Sequence, residues 1–315
     1  MRSGSLNMPH LEFAKCLSFC CFAIVVAASG LLCACASKSP LQEHMTAGAD
    51  YLDKGWNDKA LSEYDAALKI DAKSSEATAG RAVALGRLGK EDQAIAEFDR
   101  ALQAKPLDPQ IRLEKGRLYL AMGEDKKAIA CFEEALKLNP DMAHAYSSRA
   151  AAYYHQGQYE KCIEDCNRAL RLNANQWRAL VNRGNAYFAK GDYKTAMEDY
   201  SEALRLEPGN AGIMANVANT YYMNKQFQQS VDVCNQALAR DGSNVQALLG
   251  RGAALAQMGR LKEAIADCDQ VIKKSPGLEQ AYANRGNALY FSGQASSATA
   301  DLTSAIKLDP HDPLP

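Results

Sequence analysis

The chain has 315 residues, 47% hydrophobic and 23% charged, with 36 basic against 37 acidic side chains and a formal net charge of −1. That balance excludes wholesale disorder and a collagen-like chain. Near neutrality excludes a general pull toward nucleic-acid phosphates or an acidic membrane surface, so no nucleic-acid partner is expected.

Residues 1–15 are polar, with Arg2, Lys15 and an atypical Glu12, and residues 16–32 then run uncharged. A charged start ahead of a short apolar run reads as a secretory signal peptide. At 17 residues the run is at the short edge for spanning a bilayer. It ends in Leu32-Cys33-Ala34-Cys35, which resembles the lipobox of bacterial lipoproteins, with Cys33 unusual in its place. The resemblance implies a signal peptide over 1–34, acylation of Cys35 and a place in the bacterial envelope. Ala36 is not the Asp that resembles an inner-membrane retention signal, so the outer membrane is expected if the cell has one. Two or more acyl chains anchor a protein stably where one is marginal. The alternatives are an uncleaved N-terminal anchor or a secreted protein without lipid, and Met8 is a second candidate start. Residues 35–40 then form the lipidated cysteine and a linker reaching at most ~17 Å, so the protein stays near the bilayer. The mature chain keeps 34 basic and 36 acidic side chains, a net −2. Beyond Cys35 it has Cys131, Cys162, Cys166, Cys234 and Cys268, an odd number without paired spacing and no disulfide framework.

From Leu41 the chain divides without a gap into eight repeats of 34 residues, starting at 41, 75, 109, 143, 177, 211, 245 and 279 and ending at Asp312; a tail of 313–315 remains. Position 15 is Gly in seven repeats, as a left-handed helix end requires; Lys225 departs, beside Asn224, which is expected to ease that turn. Position 20 is always small (Ala60, Ala94, Ala128, Cys162, Ala196, Ser230, Ala264, Ala298), position 24 bulky or soft, and position 27 Ala in all but Val271. Positions 20, 24 and 27 share one helix face. Pro106, Pro140, Pro208, Pro276 and Pro310 at position 32 stop that helix. Each repeat thus reads as helix, glycine turn, helix, break.

These columns, as in Gly184, Tyr187, Gly191, Tyr193, Ala196, Tyr200, Ala203 and Pro208, resemble the tetratricopeptide repeat (TPR). The resemblance implies an all-α, right-handed superhelical solenoid of eight helix-turn-helix units, the first helix of each lining a concave groove. Repeats that cannot bury an apolar face alone borrow it from their neighbours.

No catalytic motif is present, and no stretch is left over for a catalytic domain, so neither enzymatic activity nor a cofactor is expected. None of His10, His44, His144, His155 and His311 has metal-ligand spacing, and Cys162 with Cys166 falls in core columns, so no metal is expected. Arg81, Arg149, Arg183, Arg251 and Arg285 at position 7 accompany Glu97, Asp165, Asp199, Asp267 and Asp301 at position 23. Repeat 6 replaces both by Val217 and Val233, and this tied swap predicts structural ion pairs rather than ligand contacts. Repeat 1 offers Glu63 without a base at position 7. The groove candidates are Asn182, Asn216 and Asn284 at position 6 and Asn185, Asn219 and Asn287 at position 9, each pair sharing a helix face. They are similar to asparagine ladders that hold extended peptides by the backbone; the other reading is a solvated amide that suits the repeat. Tyr154, Phe188, Tyr222 and Tyr290 at position 12 add flat surfaces, while Gly250, Ala253 and Ala256 interrupt both sets. Position 5 holds no cation, which argues against the carboxylate clamp of chaperone-binding TPRs. The soft polar repeat 8, with Ser296, Ser297, Thr299, Thr303 and Ser304, is either its own cap or a homodimer face. The expected function is a membrane-anchored scaffold that takes a protein or extended peptide in its groove and supports an envelope assembly; a self-associating structural protein is the alternative.

Overall fold

The computed structural model describes residues 39–309. The expected signal peptide, Cys35, the linker up to residue 38 and the 313–315 tail lie outside the described residues. Within them there are sixteen α-helices and no strand. The first eight are α1 (Pro40–Asp53), α2 (Asn57–Ile70), α3 (Ser75–Arg87), α4 (Glu91–Ala104), α5 (Pro109–Ala121), α6 (Asp125–Leu138), α7 (Ala143–His155) and α8 (Tyr159–Leu172). They are followed by α9 (Trp177–Ala189), α10 (Tyr193–Leu206), α11 (Ala211–Met223), α12 (Phe227–Arg240), α13 (Val245–Gln257), α14 (Leu261–Lys274), α15 (Glu279–Phe291) and α16 (Ala295–Leu308). Each repeat contributes an odd-numbered helix A and an even-numbered helix B. None is long and apolar enough to cross a membrane. The chain forms two compact bodies, one up to Pro106 with α1–α4 and one from Leu107 with α5–α16.

Position 34 caps the next helix A where it is short and polar. Asp108 accepts from the Gln110 and Ile111 amides at 2.9 and 3.1 Å, Asn210 does the same for α11, and Asn244 accepts from the Ala247 amide of α13 at 2.9 Å. Losing such a cap costs about 1 kcal/mol. Helix A ends where the amide of position 16 turns back to the carbonyl of position 11, as from Asp192 to Tyr187 at 2.9 Å. That closure needs a left-handed residue between them. Gly191 supplies it with φ 81°, and in repeat 6 Lys225 takes the same place with φ 60°. Asn224 stays right-handed at φ −79° and does not relieve the turn. A side chain held there costs ~1–2 kcal/mol, so repeat 6 keeps its turn against local preference.

Helix B docks through its small position 20 and its large position 24. The position-24 ring lies beneath the position-8 glycine of helix A: a Cβ on Gly116 would stand 2.5 Å from the ring of Phe132, and one on Gly184 2.7 Å from that of Tyr200. Where position 8 is Ala150 or Ala218, position 24 shrinks to Cys166 or Cys234, both buried. The compensation is not general: Gly252 stands over Cys268, and repeat 2 combines Ala82 with the buried Phe98. Burial pushes the Cys234 thiol up to about 11 and the Cys268 thiol up to about 12, which keeps them protonated rather than as the thiolates a metal requires.

In the second body consecutive A helices pack on one another, α5 on α7, α7 on α9, α9 on α11, α11 on α13 and α13 on α15, whereas no consecutive B helices touch. A layer whose members touch, beside a layer whose members splay, is the inside of a curve. The odd helices therefore line the concave face of this body, and their polar residues face a common trough.

Candidate functional site

The basic column at position 7 points between the helices. Arg149 donates through Nε and Nη2 to both oxygens of Asp165 at 2.7 and 2.8 Å. Arg183 holds Asp199 the same way at 2.9 and 2.6 Å, Arg251 holds Asp267 at 2.8 and 2.7 Å, and Arg285 holds Asp301 at 2.7 and 2.8 Å. Each pair closes within one repeat, from helix A to helix B, in the bidentate form that a guanidinium fork favours. Donating to Asp199 raises the Arg183 pKa, and donating to Asp301 raises that of Arg285. In the first body Arg81 lies 3.5 Å from both Glu97 and Asp65. Glu63, without a base at position 7, is met by His44, whose Nδ1 is 2.7 Å away.

A third partner escapes the position 7–23 pattern. The remaining Nη1 reaches back to position 25 of the preceding repeat, from Arg183 to Asn167 at 2.5 Å, Arg251 to Asn235 at 2.7 Å and Arg285 to Asp269 at 2.6 Å. Each of these arginines thus ties two helices of its own repeat to the repeat before it. The signal is present in the sequence at an offset: position 25 carries a long acceptor before each of these arginines and only Ser201 before Val217. Val217 and Val233 join the apolar cluster around Tyr200 instead.

The groove amides are partly engaged. Asn182 on α9 donates through Nδ2 to the Ser147 carbonyl of α7 at 2.9 Å, and Asn216 on α11 donates to Asn185 Oδ1 at 3.1 Å. The Tyr200 hydroxyl donates to the same Oδ1 at 2.7 Å. One polar group of each amide remains unspent: Oδ1 of Asn182, Nδ2 of Asn185 and Oδ1 of Asn216. Asn219 is exposed, Asn284 and Asn287 are half-buried, and none of the three spends its amide on the array. Sequence alone separates neither group, because the difference lies in how closely neighbouring A helices approach.

The position-12 rings lean on the start of helix B: Tyr154 on Tyr159 at 5.8 Å, Phe188 on Tyr193 at 5.1 Å and Tyr222 on Phe227 at 5.5 Å between centroids. Repeat 8 has Ala295 at that place, and Tyr290 is 64% exposed with its ring 5.5 Å from that of Phe291. With the exposed Phe291, Ile306 and Leu308 it leaves the last repeat with an apolar surface. Among the described residues, no three His, Cys, Asp or Glu side chains gather as metal ligands.

A family profile described as "Psidin, N-terminal TPR repeats region" matches residues 49–175, and profiles described as "Tetratricopeptide repeat" match 177–210, 218–279 and 279–312. The chain is built of tetratricopeptide repeats. No curated protein matches it. TPR structures do. The APC/C hetero-tetramer Cut9-Hcn1 is 14% identical, with 88% of this chain and 54% of that one covered at a TM-score of 0.70. A tetratricopeptide repeat protein from Parabacteroides merdae is 17% identical, covering 85% and 99% at 0.58. The pilF protein of Pseudomonas aeruginosa is 18% identical, covering 66% and 95% at 0.56. At these identities the likeness is one of TPR fold.

Proposed function

We propose that this TPR array is a non-catalytic scaffold that holds an extended protein segment along the concave face of its second body. One observation carries the reading: internal hydrogen bonds orient Asn182, Asn185 and Asn216 while leaving each with a free acceptor or donor on that face. Such an array meets the alternating N–H and C=O of a peptide without reading its side chains. Orientation in advance lowers the entropy cost of binding. Asn219, Asn284 and Asn287 continue the row, with the gap at Gly250 and Ala253 between them.

Asn219→Ala with Asn287→Ala tests this, because neither amide supports the array. We expect the double variant to keep its helical content and to lose a protein that the wild type captures by crosslinking, with the crosslinks mapped by mass spectrometry to odd helices. Equal capture by both would sink the groove reading. Capture of nothing but a second copy would assign the protein to self-association through repeat 8.

Anchoring belongs to the same proposal and rests on Leu32-Cys33-Ala34-Cys35. An acylated Cys35 would hold the scaffold beside the membrane of a bacterial envelope, where it supports assembly of a larger complex. Cys35→Ser is expected to move the protein from the membrane to the soluble fraction. Full retention by the membrane would replace the lipid by an uncleaved N-terminal anchor.

A further inference from the structure

Ahead of the asparagines, the concave face of the second body carries a second polar cluster that the scaffold does not use up. Three consecutive A helices build it. Arg117 on α5 reaches across to α7, where its Nε comes within 3.5 Å of Ser148 Oγ. Ser148 and His144 are four residues apart on α7 and so share one face. The Arg117 guanidinium therefore lies against the face that presents His144. From the other side, the amide nitrogen of Gln176, only 4% exposed, is 3.0 Å from His144 Nδ1. Gln176 immediately precedes α9, and Arg178 is its second residue.

The chemistry of the three groups converges. With the buried Gln176 amide donating to Nδ1, the imidazole carries its proton on Nε2 and offers a donor away from that contact. Burial first, then the charges of Arg117 and Arg178, lower the His144 pKa and hold it neutral. Arg178 is exposed and lies with its guanidinium carbon 4.2 Å from the centre of the Trp177 ring. Stacking leaves the guanidinium edge open, and no carboxylate among the described residues is within ion-pair distance of it. Arg117 is half-satisfied by Glu114 at 2.8 Å. Two guanidiniums, one carboxylate and a neutral imidazole leave one positive charge on three sets of donors.

We propose that Arg117, His144 and Arg178 form a carboxylate site that receives an Asp or Glu side chain of the segment held in the groove, an inference that rests on the groove reading above. The single net charge matches a carboxylate, whereas a phosphate monoester at neutral pH brings ~1.5–2 negative charges beside Glu114. An internal residue fits better than a chain end. The axes of the three helices that carry the site span about 16–20 Å while Arg117 leans inward to α7, so the segment crosses these helices rather than stopping on one of them. Asn182 is four residues from Arg178, about 6 Å of helical rise away, so a peptide group held by its free Oδ1 brings the neighbouring side chain over the cations.

The test uses the immobilised full chain and four nonapeptide pools with randomised flanks. Three pools are acetylated and amidated with a central Glu, Gln or phosphoserine; the fourth has a central Gln and a free C-terminus. We expect the Glu pool to be retained at least tenfold better than the capped Gln pool, with the preference shrinking as salt is raised. Arg178→Gln should bring retention of the Glu pool down to that of the capped Gln pool. Arg171→Gln, an equal loss of charge on helix B, should leave the preference intact. Equal retention of the Glu and Gln pools overturns the carboxylate site but not the groove. Preference for phosphoserine or for the free terminus overturns the assigned ligand, and retention of no pool overturns the site and the groove together.

Discussion

Asp199→Ala is expected to destabilise its repeat by ~3–5 kcal/mol, the usual result of removing one partner from a buried ion pair. Asp199 is 4% exposed and gives both oxygens to Arg183. Its removal leaves a guanidinium that is three-quarters buried with Asn167 as its one remaining acceptor. The cost comes from the stranded charge rather than from the worth of the pair, because desolvation offsets most of what the pair gains. The double variant Arg183→Val with Asp199→Val is therefore expected to recover most of the loss. Repeat 6 already carries that solution in Val217 and Val233, which pack against the neighbouring core. Repeat arrays unfold in parts, so hydrogen exchange across α9 and α10 is the measurement, with urea unfolding beside it. A change below ~1 kcal/mol for Asp199→Ala would mean that water reaches the pair and screens it.

The same swap shows what the sequence carries and what it does not. A charge pair that turns apolar at both ends predicts contact between positions 7 and 23, and the described helices place Arg183 and Asp199 there. The helix boundaries are equally legible, because the glycine at position 15 and the proline at position 32 act through the backbone alone. Position 25 is harder to read. Asn167 follows Arg183 of the next repeat, so the correlation appears only when rows are compared one repeat out of step. The groove is harder still. Residue type puts Asn182 and Asn219 on one kind of face, but a helix spacing decides that Asn182 bonds to Ser147 while Asn219 stays exposed. His144 shows the limit, since its role depends on Gln176, a residue that caps nothing and reaches back to the preceding A helix. The division after Pro106 has no counterpart in the columns, which run through it without a gap.

Two further glycines at position 8 separate propensity from packing. Alanine is the better helix former by ~0.8–1.0 kcal/mol, so Gly→Ala inside a helix stabilises wherever space allows. At Gly116 it does not: the new Cβ would meet Phe132 at 2.5 and 2.8 Å and the Cβ of Cys131 at 3.1 Å. Phe132 is fully buried, so its ring cannot swing away without opening the core around it. Overpacking of this kind costs ~1–3 kcal/mol, which exceeds the propensity gain, and Gly116→Ala is expected to lower stability. At Gly252 the nearest atoms are the Ala264 carbonyl oxygen at 3.4 Å and Cys268 Sγ at 3.5 Å, because a cysteine stands where the ring would be. Gly252→Ala is therefore expected to raise stability by up to ~1 kcal/mol. Urea midpoints of the two variants, measured against the wild type, should move in opposite directions. Movement in the same direction would show that the glycine is kept for the helix itself and not for the side chain beneath it.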